Sequence, residues 1–239
     1  MPRESRKRTM KTSDIITAYA VKNDCYKANK PLKPKGIVVH STGANNPNLS
    51  RYVNAPQAVG VNTYGNHWDI PKPGGREVCV HSFIGKDKNG DVKVANILPY
   101  TMQCWGCASG RKGSFNSTHI QFEVCEDALT DKRYFELAIS AAIEYCAYLC
   151  YTFGLDISSI VSHAEAHKMG YASNHGDIDH WLKRFGWDMN GFRRSVREVY
   201  EKLYTDYASE VKKKYGFTDE TIKYLKEYKY SEDLFKKLL

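Results

Sequence analysis

Gly36-Ile37-Val38-Val39-His40 is a short run of apolar, largely β-branched residues that stops on a histidine. Pro34 precedes it, and the loop-forming stretch Ser41-Thr42-Gly43-Ala44-Asn45-Asn46-Pro47 follows. A continuous apolar run of this length between turn signals reads as a strand buried on both faces. Open α/β sheets collect their chemistry at strand ends, which makes His40 a candidate functional residue.

Working outward, Ile160-Val161-Ser162-His163 repeats the pattern, a short apolar strand ending in histidine. His119-Ile120-Gln121-Phe122-Glu123-Val124-Cys125 alternates in the strand period, with His119, Gln121 and Glu123 on one face. Asn62–Ile70 and Glu77–Ile84 read as further strands, separated by the turn Pro71–Gly75, and Lys86–Gly90 closes a hairpin through Asn-Gly. Tyr134 to Phe153 carries apolar residues at helical spacing and ends at Gly154; Asp177–Phe185 and Gly191–Leu203 read as two more helices. The expectation is an α/β fold with a central mixed β-sheet flanked by helices. Residues 1–34 read as a basic arm, 35–203 as the main domain, and 204–239 as a small helical appendage, with Thr218 and Ser231 as helix starts.

Composition narrows the functional classes. The net charge of +8 suits nucleic acid or an anionic wall polymer. No ordered Walker, zinc-finger or RNA-recognition pattern accompanies it, so a nucleic-acid partner is not expected. No stretch approaches the roughly 20 apolar residues of a membrane span. The basic N-terminus lacks the apolar run of a signal peptide, so synthesis in the cytoplasm is expected. The seven cysteines show no secreted disulfide spacing and read as reduced thiols, and Cys104-x-x-Cys107 lacks the second pair that a structural zinc site needs.

Two strand-end histidines, His40 and His163, are positioned to converge at one edge of the sheet, with His175 in the polar loop Ser173–Asp177. Three protein ligands and an open position make a catalytic zinc site, and imidazole suits that ion. The ordinary alternative is a set of hydrogen-bonded core histidines; Asp177 reads either as third ligand or as a helix N-cap. Glu123 is the candidate for proton handling, because a mid-strand carboxylate is costly unless it is paired or lines a cleft; a solvated strand face is the alternative. Glu126 and Asp127 read as solvated. His163-Ala164-Glu165-Ala166-His167 differs from the H-E-x-x-H zinc motif by the placement of its glutamate. Asn66, His67, Trp68 and Trp105 are candidates for binding sugar or peptide, or else plain core aromatics and their neighbours.

These segments together resemble a known family. GIVVHST at 36–42, NTYGNHW at 62–68, HIQFEVCED at 119–127, VSHAEAH at 161–167 and SNHGDIDHW at 173–181 occur in the order of the zinc amidases related to peptidoglycan recognition proteins, a family that includes phage endolysins and bacterial autolysins. The resemblance runs from Lys35 to about Lys202 and is nearest to the Gram-positive enzymes. It implies an N-acetylmuramoyl-L-alanine amidase of endolysin type, acting on peptidoglycan after release. It also implies one zinc ion on His40, His163 and a third ligand from the 173–177 loop, with Glu123 as catalytic glutamate. Relatives carry Cys or Asp where this chain has Ser173 and Asn174, which makes His175 the expected third ligand and Asp177 the alternative. The lysine that relatives place two residues before that ligand is Ser173 here, so that role is either missing or taken by Lys168. A peptidoglycan-binding protein without catalysis is the rival reading.

Overall fold

The short apolar runs assemble into one sheet. A computed structural model describes Met10 and residues 14–239. Its strands are β1 (Ile15–Thr17), β2 (Gly36–Ser41), β3 (Ser82–Lys86), β4 (Val92–Asn96), β5 (His119–Val124) and β6 (Ile160–Ser162). They lie in the order β1-β4-β3-β5-β2-β6. β3 and β4 pair antiparallel through a hairpin whose turn is tied by Asp87 Oδ1, which accepts from the Asn89 and Asp91 amides at 2.8 and 3.0 Å. The other pairings are parallel.

The pleat sorts residues to two faces. Ile37, Val39, Ile120, Phe122, Val124 and Ile160 join the main core, whereas Val38 and Val161 belong to a separate cluster on the opposite face. The main core lies beneath α3 (Lys132–Phe153), which begins at Asp131, whose side chain accepts from the Tyr134 amide, and ends at Gly154 in the left-handed conformation. Its buried positions Phe135, Ala138, Ile139, Ala142, Ile143 and Cys146 follow the spacing of an amphipathic helix. β2 must approach β5 closely at its start. A Cβ on Gly36 would lie 2.6 Å from His119 Nε2 and 2.7 Å from the Ser159 carbonyl, so only glycine fits there.

α1 (Asp24–Ala28) follows β1, and α2 (Pro56–Val59) is a single turn in the loop after β2. α4 (His163–Met169) grows directly out of β6, and α5 (Asp179–Arg184) leads to α6 (Met189–Tyr215), which packs along α3. α7 (Asp219–Lys226) and α8 (Ser231–Leu238) fold back on the end of α6, enclosing Ala208, Val211, Ile222 and Phe235. Among the described residues no helix is long and apolar enough to cross a membrane. All seven cysteines are buried free thiols.

Four expectations are corrected. Residues 1–9 and 11–13 lie outside the description, but from Ile15 onward the expected arm belongs to the fold: β1 pairs with β4, and Asn23 is fully buried, its side-chain amide donating to the Trp68 and Val78 carbonyls at 3.1 Å. Three strand residues are too few to show a period, which hid β1. Asn62–Ile70 contains no strand; its turns are held by Asn62 Nδ2, which donates to the Ser50 carbonyl at 2.8 Å. The strand expected from Glu77 begins at Ser82, since Cys79 pairs only with Trp105 in an isolated bridge. The boundary placed at 203/204 falls inside α6, which runs from Met189 to Tyr215.

Candidate metal centre and active site

Parallel pairing brings the ends of β2, β5 and β6 side by side. His40 is the register partner of Glu123 across β2 and β5, and Val39 is the partner of Ser162 across β2 and β6. His163 comes one residue later, as the first residue of α4. There Ser162 and Glu165 form a capping box that fixes the chain's turn from strand into helix. Arg193 of α6 holds Glu165 with two hydrogen bonds of 2.8 and 3.0 Å and also donates to the Ile160 carbonyl at 2.9 Å. Glu165 is thereby committed to structure. His167 is bonded to the Ala172 carbonyl, so the likeness to H-E-x-x-H carries no second metal pair.

The third member comes from the loop before α5. Ile178 and Trp181 are both fully buried, with Trp181 edge-on to Phe135 at 5.4 Å. These anchors turn Asp177 inward. Its carboxylate does not cap α5, whose N-cap position is Ile178 without a side-chain bond. Instead Asp177 Oδ2 lies 2.9 Å from His40 Nδ1 and 3.5 Å from His163 Nδ1, while the two Nδ1 atoms are 3.0 Å apart. His175, the expected third ligand, stands outside this cluster. Asn174, His175 and Gly176 are exposed, and His175 stacks on the outside of His163 at 4.9 Å, its Nδ1 3.9 Å from Asp177 Oδ1.

His40, His163 and Asp177 offer ligand atoms that all lie within 4.8 Å of one another. Tetrahedral zinc with bonds of about 2.0–2.1 Å spaces neighbouring donors about 3.3 Å apart. The observed separations of 2.9, 3.0 and 3.5 Å bracket that value. Two imidazole nitrogens facing each other at 3.0 Å repel unless a proton or a cation lies between them. The donor set of two nitrogens and a carboxylate oxygen therefore fits zinc.

The local fields agree with this arrangement. Burial works against the charge on Asp177, yet its hydrogen bonds to His163 and His40 outweigh burial and hold the carboxyl well below the usual range. Burial also opposes a charged His40, but the Asp177 hydrogen bond and the nearby Glu123 and Asp177 charges raise its pKa above the ordinary 6.5. For His163 burial prevails over Asp177, with the His40 charge adding to it, and the pKa is lowered. Glu123 stands beside them, its Oε2 buried without a hydrogen-bond partner. Burial raises its pKa from 4.5 to about 7, with His40 opposing and Asp177 reinforcing the shift.

An aromatic wall adjoins Glu123. Phe83 is its register partner on β3, Tyr52 stacks on Phe83 at 4.7 Å, and Trp68 meets Phe83 edge-on at 4.9 Å. Trp68 is thus part of the wall's packing and half-buried; Trp105 packs on the same cluster. Asn66 Oδ1 accepts from Asn62 at 2.9 Å and its carbonyl accepts from Arg51, while His67 Nδ1 is buried without a partner. Lys168 is exposed and lines a separate basic cleft of about 600 Å³ with Arg193, Arg194 and Arg197, away from the histidine cluster. Glu126, expected in solvent, is buried 3.0 Å from His180 Nε2. Tyr52, Phe83 and Gln121 have no recognisable motif of their own; only the face shared by Gln121 and Glu123 hinted at one of them.

Comparison with known proteins agrees with this geometry. The N-acetylmuramoyl-L-alanine amidase family matches residues 30–178. Protein Ami of Listeria monocytogenes is 23% identical over 183 residues, covering 73% of this chain but only 17% of its own length. Among solved structures, the hydrolase AmiA of Staphylococcus aureus, in complex with its ligand, superposes with a TM-score of 0.56 at 19% identity, covering 80% of this chain and 85% of that one. A mutant endolysin from Bacillus subtilis gives 0.53 at 19% identity, covering 76% and 97%. At these identities the structural likenesses show the fold.

Proposed function

Because this chain belongs to the N-acetylmuramoyl-L-alanine amidase family, we propose that it hydrolyses the amide between the lactyl group of muramic acid and L-alanine in bacterial peptidoglycan, with one zinc ion on His40, His163 and Asp177. The observation that carries the reading is the convergence of two imidazoles and a carboxylate beside an unpartnered buried glutamate. Zinc, when bound, acidifies water and polarises a carbonyl. The chain's own residues handle the rest. Glu123, held near neutrality, accepts the proton of the attacking water at Oε2 and hands it to the departing L-alanine amine. Asp177 offsets the positive charge at the two histidines. Phe83 and Tyr52, both buried, keep the Glu123 side of the site apolar, and Trp68 with Asn66, His67 and Trp105 forms the surface on which glycan and stem peptide lie.

The role we assign is that of an endolysin, a wall hydrolase made in the cytoplasm and acting on peptidoglycan after release. Likeness to an endolysin fold and a net charge of +8, which favours anionic walls, support it. The test is digestion of purified Gram-positive peptidoglycan by wild type and Glu123→Ala. New L-alanine amino termini without new reducing ends, lost in the variant and on chelation and restored by zinc, are expected. Wall binding without new amino termini, across several wall types with zinc supplied, overturns the enzyme reading.

A further inference from the structure

A metal site of this kind works only if both imidazoles turn bare nitrogens toward the same point. Each imidazole has two nitrogens, and in the neutral ring the one that carries the proton is set by the partner of the other. Here the partner of His40 can be traced back to atoms that have no choice of role. The backbone amides of Gly106 and Cys107 both donate to Asn116 Oδ1 at 3.0 Å. Backbone N–H groups only donate, so that atom is the amide oxygen. Gln121 Nε2, 3.0 Å from the same oxygen, must then be the amide nitrogen, and it also donates to Cys107 Sγ at 3.4 Å. This leaves Gln121 Oε1 facing His40 Nε2 at 2.9 Å, an acceptor that requires the proton on Nε2. Nε2 of His40 is thereby engaged, and Nδ1, from which the Asp177 carboxylate accepts at 2.9 Å, is the nitrogen left to a metal.

A second chain does the same for His163. Ser173 Oγ lies 3.4 Å from the Cys107 carbonyl, which only accepts, so the hydroxyl spends its proton there. Its lone pairs face His163 Nε2 at 3.3 Å and place that ring's proton on Nε2 as well. Both chains end at one residue: the Cys107 amide orients the first and the Cys107 carbonyl orients the second. The loop is pressed against the sheet to reach them, since a Cβ on Gly106 would lie 2.6 Å from Gln121 Oε1.

We infer that Gln121, Asn116 and Ser173 are positioning residues which, anchored on the Cys107 backbone, keep a proton on Nε2 of His40 and of His163 and so reserve both Nδ1 atoms for the metal position. This rests on the metal site proposed above but is separable from it. In metal-free wild type, long-range proton–nitrogen correlation spectra of the imidazoles are expected to show a proton on Nε2 of both histidines. Zinc affinity, read by competition with a chromophoric chelator, is expected to fall about 10- to 100-fold in Gln121→Met, which keeps the bulk and loses the acceptor. Asn116→Leu is expected to weaken zinc similarly. Asn116→Asp keeps an oxygen for all its donors and should restore affinity close to wild type.

A bare Nε2 on His40 in the metal-free protein overturns the inference without any variant having to fold. Unchanged zinc affinity in a folded Gln121→Met, or Asn116→Asp as weak as Asn116→Leu, overturns it too. Failure of wild type to bind zinc at all would instead sink the proposed metal site and leave the tautomer spectra to decide the relay.

Discussion

Glu123→Gln is expected to abolish hydrolysis and, in the metal-free protein, to stabilise the fold at alkaline pH. Glu123 Oε2 is buried with no hydrogen-bond partner, and burial, reinforced by Asp177 and Glu126 against the pull of His40 and Arg76, raises its pKa from 4.5 to about 7. The sign follows from proton counting. Below the ordinary value the carboxyl is protonated in both states and burdens neither. As pH climbs from 4.5 to about 7, the unfolded chain ionises while the folded chain keeps its proton, so stability drains away across that window. Above it the whole penalty is in force. At about 1.4 kcal/mol per pH unit, that interval corresponds to about 3 kcal/mol, an upper figure because the residue is partly exposed. Glutamine has the same shape and no charge, so it escapes the penalty.

The assay is urea unfolding of both proteins, stripped of metal, at about pH 4.5 and about pH 8.5. The stability difference in favour of the Glu123→Gln variant should be near zero at the acid end and grow to between about 1 and 3 kcal/mol at the alkaline end. A difference independent of pH, or a wild type as stable as the variant at alkaline pH, would refute the claim that this carboxylate sits under electrostatic strain. A stabilised but inactive variant would mark a group kept for chemistry at a cost to the fold.

Asp177→Asn should lower zinc affinity by at least about tenfold, while His175→Ala should leave it near wild type; equilibrium dialysis decides, and the reverse order would restore His175 as ligand. Gly106→Ala would place a methyl 2.6 Å from Gln121 Oε1 and 2.9 Å from Val80 Cγ1, so thermal unfolding is expected to show a loss of about 1–3 kcal/mol. Phe235→Ala empties the small core beneath α7 and α8, with about 3–5 kcal/mol lost locally. Hydrogen exchange should quicken in α7 and α8 while amidase turnover on soluble substrate stays unchanged; a drop in turnover would tie the appendage to the site.

Much of the frame could be read without coordinates, for a physical reason. β2, β5 and α3 bury most of one or both faces, and burial writes a period or a continuous apolar run into the chain itself. The ends of such segments are equally visible: Gly154 takes the left-handed cap that α3 needs, and His40 and Glu123 stand where buried strands meet the opening of the sheet. Family likeness then joined these points into one site.

What the chain's order of residues left open was every choice settled by distant partners. Asp177 and His175 are two residues apart in a polar loop, and nothing local separates them. The burial of Ile178 and Trp181 against α3 does, by turning one side chain inward and leaving the other in solvent. β1 has too few residues to announce itself and exists because β4 offers an edge. Asn62–Ile70 carries strand-like residues but finds no strand to pair with. Gln121 looks like any polar strand residue until Asn116 and Cys107 fold over it and dictate which of its amide atoms meets His40. Periodic burial is a local property and is written locally; ligand choice and hydrogen-bond polarity depend on atoms brought together from across the chain, and only the folded structure assembles them.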